Sequence, residues 1–317
     1  MVNSIEIHEG YRSGNRFFYF PGDGDHILHL VDTWEKADDV FIENYTRNAA
    51  NNGYWLFTRT NPKEAQILVT NDTDSLTESY FDESKEIVIL VHGWLGHGKN
   101  DLNRKLTKAF LEVNDVNVIV LDWSKLARRN YMTAKAGVAA VGSALGHFVN
   151  WLIEFGASYE KIHLVGFSLG AHLVGNAGRQ TQSRVKRITA LDPAGPLWAK
   201  DENRIVQTDA QYVEVIHTNT ALYGLNKQCG DTDFYPNGGS RMPGCWLNMC
   251  SHSRSYEYMA ATVIYDHLNG NECNSTKGVA RGCTGDEFPM GNSDLTKQGT
   301  GIYRVDTEKH YPYNSTH

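Results

Sequence analysis

The segment LVGFSLGAHLVG, residues 164–175, carries Ser168 between two glycines in the spacing G-x-S-x-G, from Gly166 to Gly170. An alcohol attacks a carbonyl only when a neighbouring base takes its proton and the chain holds it exposed. A glycine two residues to either side lets a strand turn sharply into a helix with the serine at the tip of the bend. The apolar run KIHLV precedes Ser168 and the helix-compatible LGAHLVGNAGR follows it. Five fixed letters recur by chance, and the bland alternative is a small residue on a crowded turn, so the partners decide.

A base and an orienting carboxylate are needed, and in a sheet enzyme they sit at the carboxyl ends of neighbouring strands. Asp192 ends RITALD and is followed by PAGP, which forces the chain out of the sheet and leaves the carboxylate at its rim. Standing alone, it would be a strand-end cap. His252, in CSHSRS, lies two residues past Cys250, where a disulfide would hold an otherwise mobile loop and keep the imidazole in place. The competing histidines have other readings: His163 falls within a strand, His172 on a helix body, and His217 where it could brace a loop. The chain order nucleophile, acid, histidine is that of α/β-hydrolases. Charge developing on a tetrahedral intermediate requires backbone N–H groups. Leu169, opening a helix, offers one, and Trp94 in HGW offers a second because Gly93 lets the backbone close in. Trp94, Leu95, Trp198 and Trp246 are candidates for gripping an acyl chain, with core or rim packing as the alternative. Gly93, Gly96 and Gly98 lack the spacing of a phosphate or dinucleotide cradle.

These residues need a frame. GNRFFYF, YWLFTRT and ILV (67–69) read as strands, and WEKADDVFIENY holds a short helix. Residues 70–86 form a turn-rich surface connection. IVILVHGW and VNVIVLDW are continuously apolar, as buried parallel strands are. Between them DLNRKLTKAFLE is amphipathic, with Asp101 available as N-cap. Residues 134–155 form a long helix with small residues suited to close packing, and KIHLV, RITALD and YVEVIH are three more strands. Past His217 the pattern loosens into a loop-rich block over 218–252, followed by the helix SRSYEYMAATVIYDHL and a tail ending in an edge strand, GIYRVD. Alternating strands and helices predict an α/β fold with a mostly parallel central sheet and helices on both faces, in one domain over residues 1–317.

The 317 residues carry a net charge of −7 and no basic block, which gives no footprint for nucleic acid. The longest compact apolar runs, 87–91 and 116–121, fall short of the roughly 20 residues of a spanning helix. MVNSIEIHEG contains no secretory apolar core, so the chain is either cytosolic or a processed form. The cysteines favour the second: all five lie after residue 228, and C-x4-C and C-x9-C suit local disulfides, Cys245–Cys250 and Cys273–Cys283, leaving Cys229 unpaired. Cys245, Cys250 and His252 lie close in sequence, but not at the spacing of a standard zinc site. Sequons at Asn44, Asn71, Asn274 and Asn314 fit a secreted glycoprotein.

Taken together, HGW (92–94), LDW (121–123), GFSLGAH (166–172), ALDPAGP (190–196), DAQYVEVIHT (209–218), DFYPNGG (233–239), PGC (243–245) and CSHSRS (250–255) resemble the pancreatic lipase family of secreted lipases, from about residue 14 to the end. The resemblance implies an α/β-hydrolase fold, a triad of Ser168, Asp192 and His252, and oxyanion donors on Trp94 and Leu169. Three departures carry expectations of their own. The loop that closes over the site in the family is cut to WLNM between Cys245 and Cys250, which resembles phospholipase A1 members such as insect venom enzymes. The expected activity is therefore hydrolysis of the sn-1 acyl ester of phospholipids at a lipid surface. Triacylglycerol or general carboxylester hydrolysis is the alternative within the enzyme class, and a lipid-binding or yolk-type storage protein the alternative outside it. In the family's structural calcium segment Arg204 and Asp209 are kept, but Val206 stands where a carboxylate is expected, so no metal and no cofactor is expected. The chain ends without the C-terminal β-sandwich domain that binds colipase, so no colipase dependence is expected.

Overall fold

The structure, a computed structural model, describes residues 8–314. Most of the opening stretch read for a secretory core, and the last two residues of the Asn314 sequon, lie outside the described residues. A small sheet comes first: β1 (His8–Glu9), β2 (Phe17–Pro21) and β3 (Leu28–Asp32). Helix α1 (Asp39–Thr46), β4 (Gly53–Phe57), β5 (Gln66–Leu68) and the short α2 (Thr73–Thr77) lead to β6 (Ile87–Val91). There follow α3 (Asp101–Val113), β7 (Asn117–Asp122), α4 (Ser124–Ala127), α5 (Tyr131–Glu154), β8 (Ile162–Phe167), α6 (Leu169–Gln180), β9 (Arg187–Leu191) and β10 (Val213–Ile216). The chain continues through β11 (Thr232–Pro236), α7 (Asn248–Tyr265), β12 (Asn269–Glu272), α8 (Thr276–Val279), β13 (Glu287–Pro289) and β14 (Gly301–Val305).

Eleven strands form the main sheet in the order β13-β12-β14-β11-β10-β9-β8-β6-β7-β4-β5. The seven from β14 to β7 are parallel, and antiparallel strands flank them at both ends. Both faces of β6 are buried: Ile87, Ile89 and Val91 join the core with α5 and α6, while Val88 and Leu90 join the core with α3 and α7. A two-residue period covered on both sides reads in sequence as an unbroken apolar run. This is the α/β-hydrolase arrangement.

Several local expectations change. Asn100, not Asp101, caps α3, its Oδ1 accepting from Asn103 N at 3.1 Å. Asp101 is the first helical residue, where a negative charge still favours the helix dipole. GIYRVD is no edge: β14 lies between β11 and β12. The block 218–252 contains β11, parallel to β10, and the connection 70–86 contains α2. Helix α5, with 24 residues, is long and apolar enough by composition to cross a membrane, but one side is buried against the sheet and α6. Gly142 and Gly146 allow that approach, because a Cβ on either would lie 2.5 Å or less from the Cβ of Asn176 or Gln180.

The sharpest steric demand is at the turn from β8 to α6. A Cβ on Gly166 would sit 2.2 Å from Gly170 O, and one on Gly170 would sit 2.4 Å from Val91 O and 2.6 Å from His92 O. Those are backbone atoms of the first turn of α6 and of the end of β6, which cannot step aside cheaply. Gly170→Ala is therefore expected to lower stability by about 3 kcal/mol in urea unfolding; a loss under about 0.5 kcal/mol would show that the strand ends yield.

Candidate active site

Ser168 alone separates β8 from α6, with φ 56° and ψ −118°. For a non-glycine residue that backbone is strained, and it is held: Ser168 N donates to Leu191 O at 3.1 Å and Ala194 N donates to Ser168 O at 3.2 Å. Asp192, one residue past β9, also has positive φ, 38°. Its carboxylate is fully buried, with Oδ1 accepting from Thr218 N at 2.8 Å and Asn219 N at 3.0 Å. Oδ2 accepts from His252 Nδ1 at 2.6 Å. A carboxylate can only accept, so Nδ1 carries a proton, and in the neutral imidazole the lone pair is then on Nε2.

His252 lies in the first turns of α7, which begins at Asn248 and includes Cys250. The disulfide Cys245–Cys250 closes the loop just before it, and Cys273–Cys283 closes a second loop. The disulfide uses both thiols of the Cys245, Cys250 and His252 cluster. The imidazole packs on Phe167, the residue before Ser168, at 4.6 Å between ring centres, and on Phe20 and Tyr223 at 6.0 Å each. Nε2 has no hydrogen-bond partner among the described residues and is buried. Asp192 and His252 are thus bonded, and the ring is seated beside the serine's strand with its basic nitrogen uncommitted.

The loop after β6 closes on the other side. A Cβ on Gly93 would meet Ser168 Cβ at 3.0 Å, so only glycine fits there without displacement. Neither Trp94 N nor Leu169 N donates to a protein acceptor among the described residues. Asp23, on the turn between β2 and β3, fastens this loop: Gly93 N and Asn100 Nδ2 donate to its Oδ2 at 2.7 Å each, and its own N–H donates to Trp94 O at 2.8 Å. Burial pushes the Asp23 carboxyl pKa up, opposed mainly by the nearby His92. Sequence reading missed this residue. Its signal was PGDGD, a turn too polar for its place between two aromatic strands.

The three competing histidines are each held in a hydrogen bond. His163 bonds Thr189 Oγ1 at 2.8 Å, and burial holds its pKa well down. His172 donates to Ala194 O at 2.8 Å and accepts from Ile205 N at 3.1 Å, with its pKa lowered to about 3 by burial. His217 bonds Asp233 at 2.7 Å and stacks on Tyr235. Buried beside them is the unpaired Cys229, whose thiol pKa burial pushes up.

Of the four residues expected to meet an acyl chain, two do not present their rings. Trp198 is buried, stacked on His172 at 3.9 Å with Lys135 Nζ above its ring, because α6 and the chain after β9 close around it. The Trp94 indole is buried against Phe20 and Tyr131 and donates to Arg129 O, so only its backbone is free to contribute. Leu95 is partly exposed, and Trp246 is 89% exposed.

In the segment compared with a calcium site, a side chain supplies the positive charge. Arg179 Nε donates to Asp209 Oδ1 at 2.7 Å, and its Nη atoms donate to the carbonyls of Glu202 and Arg204. Asp209 Oδ2 also accepts from Val206 N at 2.8 Å.

A family model described as Lipase matches residues 31–309. The rat pancreatic lipase-related protein 2 is 33% identical over 78% of this chain and 58% of its own length. Human pancreatic triacylglycerol lipase is 33% identical over 71% of this chain and 54% of its own length. So is the human inactive pancreatic lipase-related protein 1, with the same identity and coverage. The chain thus spans a little over half the length of these curated relatives.

Arg179→Met is expected to cost about 2 kcal/mol or more by stranding the buried Asp209 carboxylate, read as a lowered thermal midpoint. A chelator should leave the midpoint of the unaltered protein unchanged; a fall on chelation would mean that a metal, rather than Arg179, holds the segment.

Proposed function

The chain belongs to the lipase family, and on that premise we propose that it hydrolyses lipid carboxylic esters through an acyl-enzyme on Ser168. The observation that carries this reading is the 2.6 Å bond from His252 Nδ1 to the buried Asp192, which in the neutral imidazole puts the lone pair on an uncommitted Nε2, in a ring packed on Phe167, the residue before the elbow serine. Nε2 takes the Ser168 proton as Oγ attacks the ester carbonyl. The imidazolium formed is stabilised by Asp192. The carbonyl oxygen, now negative, is held by the N–H groups of Leu169 and Trp94, each worth about 3 kcal/mol in comparable sites. His252 then protonates the leaving alkoxide, which departs as an alcohol. Water, deprotonated by the same nitrogen, releases the fatty acid.

For substrate, we infer a phospholipase A1 activity at lipid surfaces. The loop Trp246–Met249, pinned at both ends by the disulfide, is too short to cover a cleft. Trp246 projects from it, and Ile27, Leu28 and Leu30 are exposed on the turn and strand beside Asp23. Apolar groups on both sides suit contact with a membrane interface. Triacylglycerol hydrolysis is the second reading, favoured by the similarity to pancreatic triacylglycerol lipase. Two disulfides and the exposed sequons at Asn44, Asn71 and Asn274 support an oxidising, extracellular setting.

Phosphatidylcholine vesicles and triolein emulsion offered separately decide the substrate. Release of the sn-1 acid, leaving a 2-acyl lysolipid, is expected; release of the sn-2 acid, or turnover of triolein alone, contradicts the assignment. Trp246→Asp is expected to slow vesicle hydrolysis by on the order of tenfold while leaving a short soluble ester within about twofold. Asp23→Ala should lower kcat on that soluble ester by about tenfold or more at unchanged KM, because it loosens an oxyanion donor.

A further inference from the structure

A second concave surface lies away from the triad, over the outer strands of the main sheet. Trp55, Ile67 and Val120 stand side by side across β4, β5 and β7, with Trp55 paired to both of the others in register. The opposite face of β4 is sealed, with Tyr54 stacked on Phe148 of α5 at 3.7 Å. On the near face α3 covers β6 and β7 but stops short of β5, leaving Ile67 53% exposed. The result is a groove of about 1250 Å³ with an apolar floor.

Its rim is basic in a protein whose net charge is −7. Arg59, Lys63, Lys99, Arg104 and Lys108 line it, against two glutamates. Arg59 is committed to the carbonyls of Leu111 and Glu112, and Arg104 to Asp101. Lys63, Lys99 and Lys108 have no ion pair among the described residues and are exposed. On the α3 wall Asn103 and Thr107 are buried, and the Thr107 hydroxyl, which can donate, has no hydrogen-bond partner among the described residues.

We propose that this groove binds the carboxylate of a long-chain fatty acid, with the acyl chain along Trp55, Ile67 and Val120 and the head group among Lys63, Lys99 and Lys108. A recessed slot buries a single chain, whereas a bilayer would press on a flat or projecting surface. The unpaired ammonium groups on the rim give the groove positive charge for an anionic head group, and ester hydrolysis at Ser168, if it occurs as proposed above, makes that acid locally abundant. Binding itself does not require Ser168. The groove and the oxyanion loop share a backbone, since a Cβ on Gly98 would lie 2.5 Å from the Trp55 ring.

The test uses the whole protein and a palmitic acid analogue bearing a photoreactive diazirine. After irradiation, peptide mapping should place the label within residues 55–67, 99–112 or the peptide containing Val120; label confined to other segments, including that around Ser168, overturns the proposal. Fluorescent fatty acid should bind saturably to Ser168→Ala. Adding Lys63→Glu, Lys99→Glu and Lys108→Glu together should weaken it by tenfold or more, while a fatty alcohol of equal length is unaffected. These side chains are exposed, so circular dichroism and the thermal midpoint should not change. Equal acid affinity with and without the three reversals, or binding seen only when vesicles are present, refutes the site.

Discussion

A carboxylate shut away from water must be given hydrogen bonds by the protein, and the arrangement of Asp192 follows from that requirement. Its three donors come from two places distant in sequence: the peptides of Thr218 and Asn219, just past β10, and the ring of His252 in α7. Burying the charge without them would cost several kcal/mol, so the sheet edge, the loop after it and the helix beyond are bound to one geometry. A Cβ on Gly224 would lie 2.4 Å from Asp192 Oδ1, which shows how closely the loop backbone wraps this group. Thr218 Oγ1 also donates to His252 O at 3.3 Å, joining the same loop to the helix.

Strain gathers around that centre. Leu95, Ser168 and Asp192 all have positive φ, and each lies at the end of a parallel strand or in the loop that follows it. Backbone of this kind persists only where surrounding contacts overdetermine it. Here they do: Leu95 N bonds Ala127 O, Ser168 N bonds Leu191 O, and Asp192 N bonds Ile216 O. The flanking helices and the small β1–β3 sheet are therefore supports for a few peptides held in costly shapes. Asp23, which bonds both sides of the Gly93–Trp94 peptide, makes the small sheet part of that support.

The parallel strands were legible because burial on both faces writes itself as IVILV and VNVIVL. The elbow was legible because two glycines with no room for a Cβ leave a fixed spacing. The partnership of Asp192 and His252 could be anticipated from strand ends and from the disulfide next to His252, along with the resemblance carried by the motifs. What stayed hidden was non-local. Nothing in GIYRVD tells that β12 will cover its free side, and nothing in LWAK separates a Trp198 stacked on His172 from one facing a ligand. Asp23 and Arg179 act through partners 70 and 30 residues away, which local pattern does not encode.

The central claim is that Ser168 is made nucleophilic by His252, and covalent capture tests it most directly. Treating the protein with a fluorophosphonate and weighing its peptides should reveal one adduct, on the peptide containing Ser168, that is lost when His252 is replaced by alanine. No adduct on the unaltered protein, or an adduct formed just as fast without the imidazole, would contradict the account.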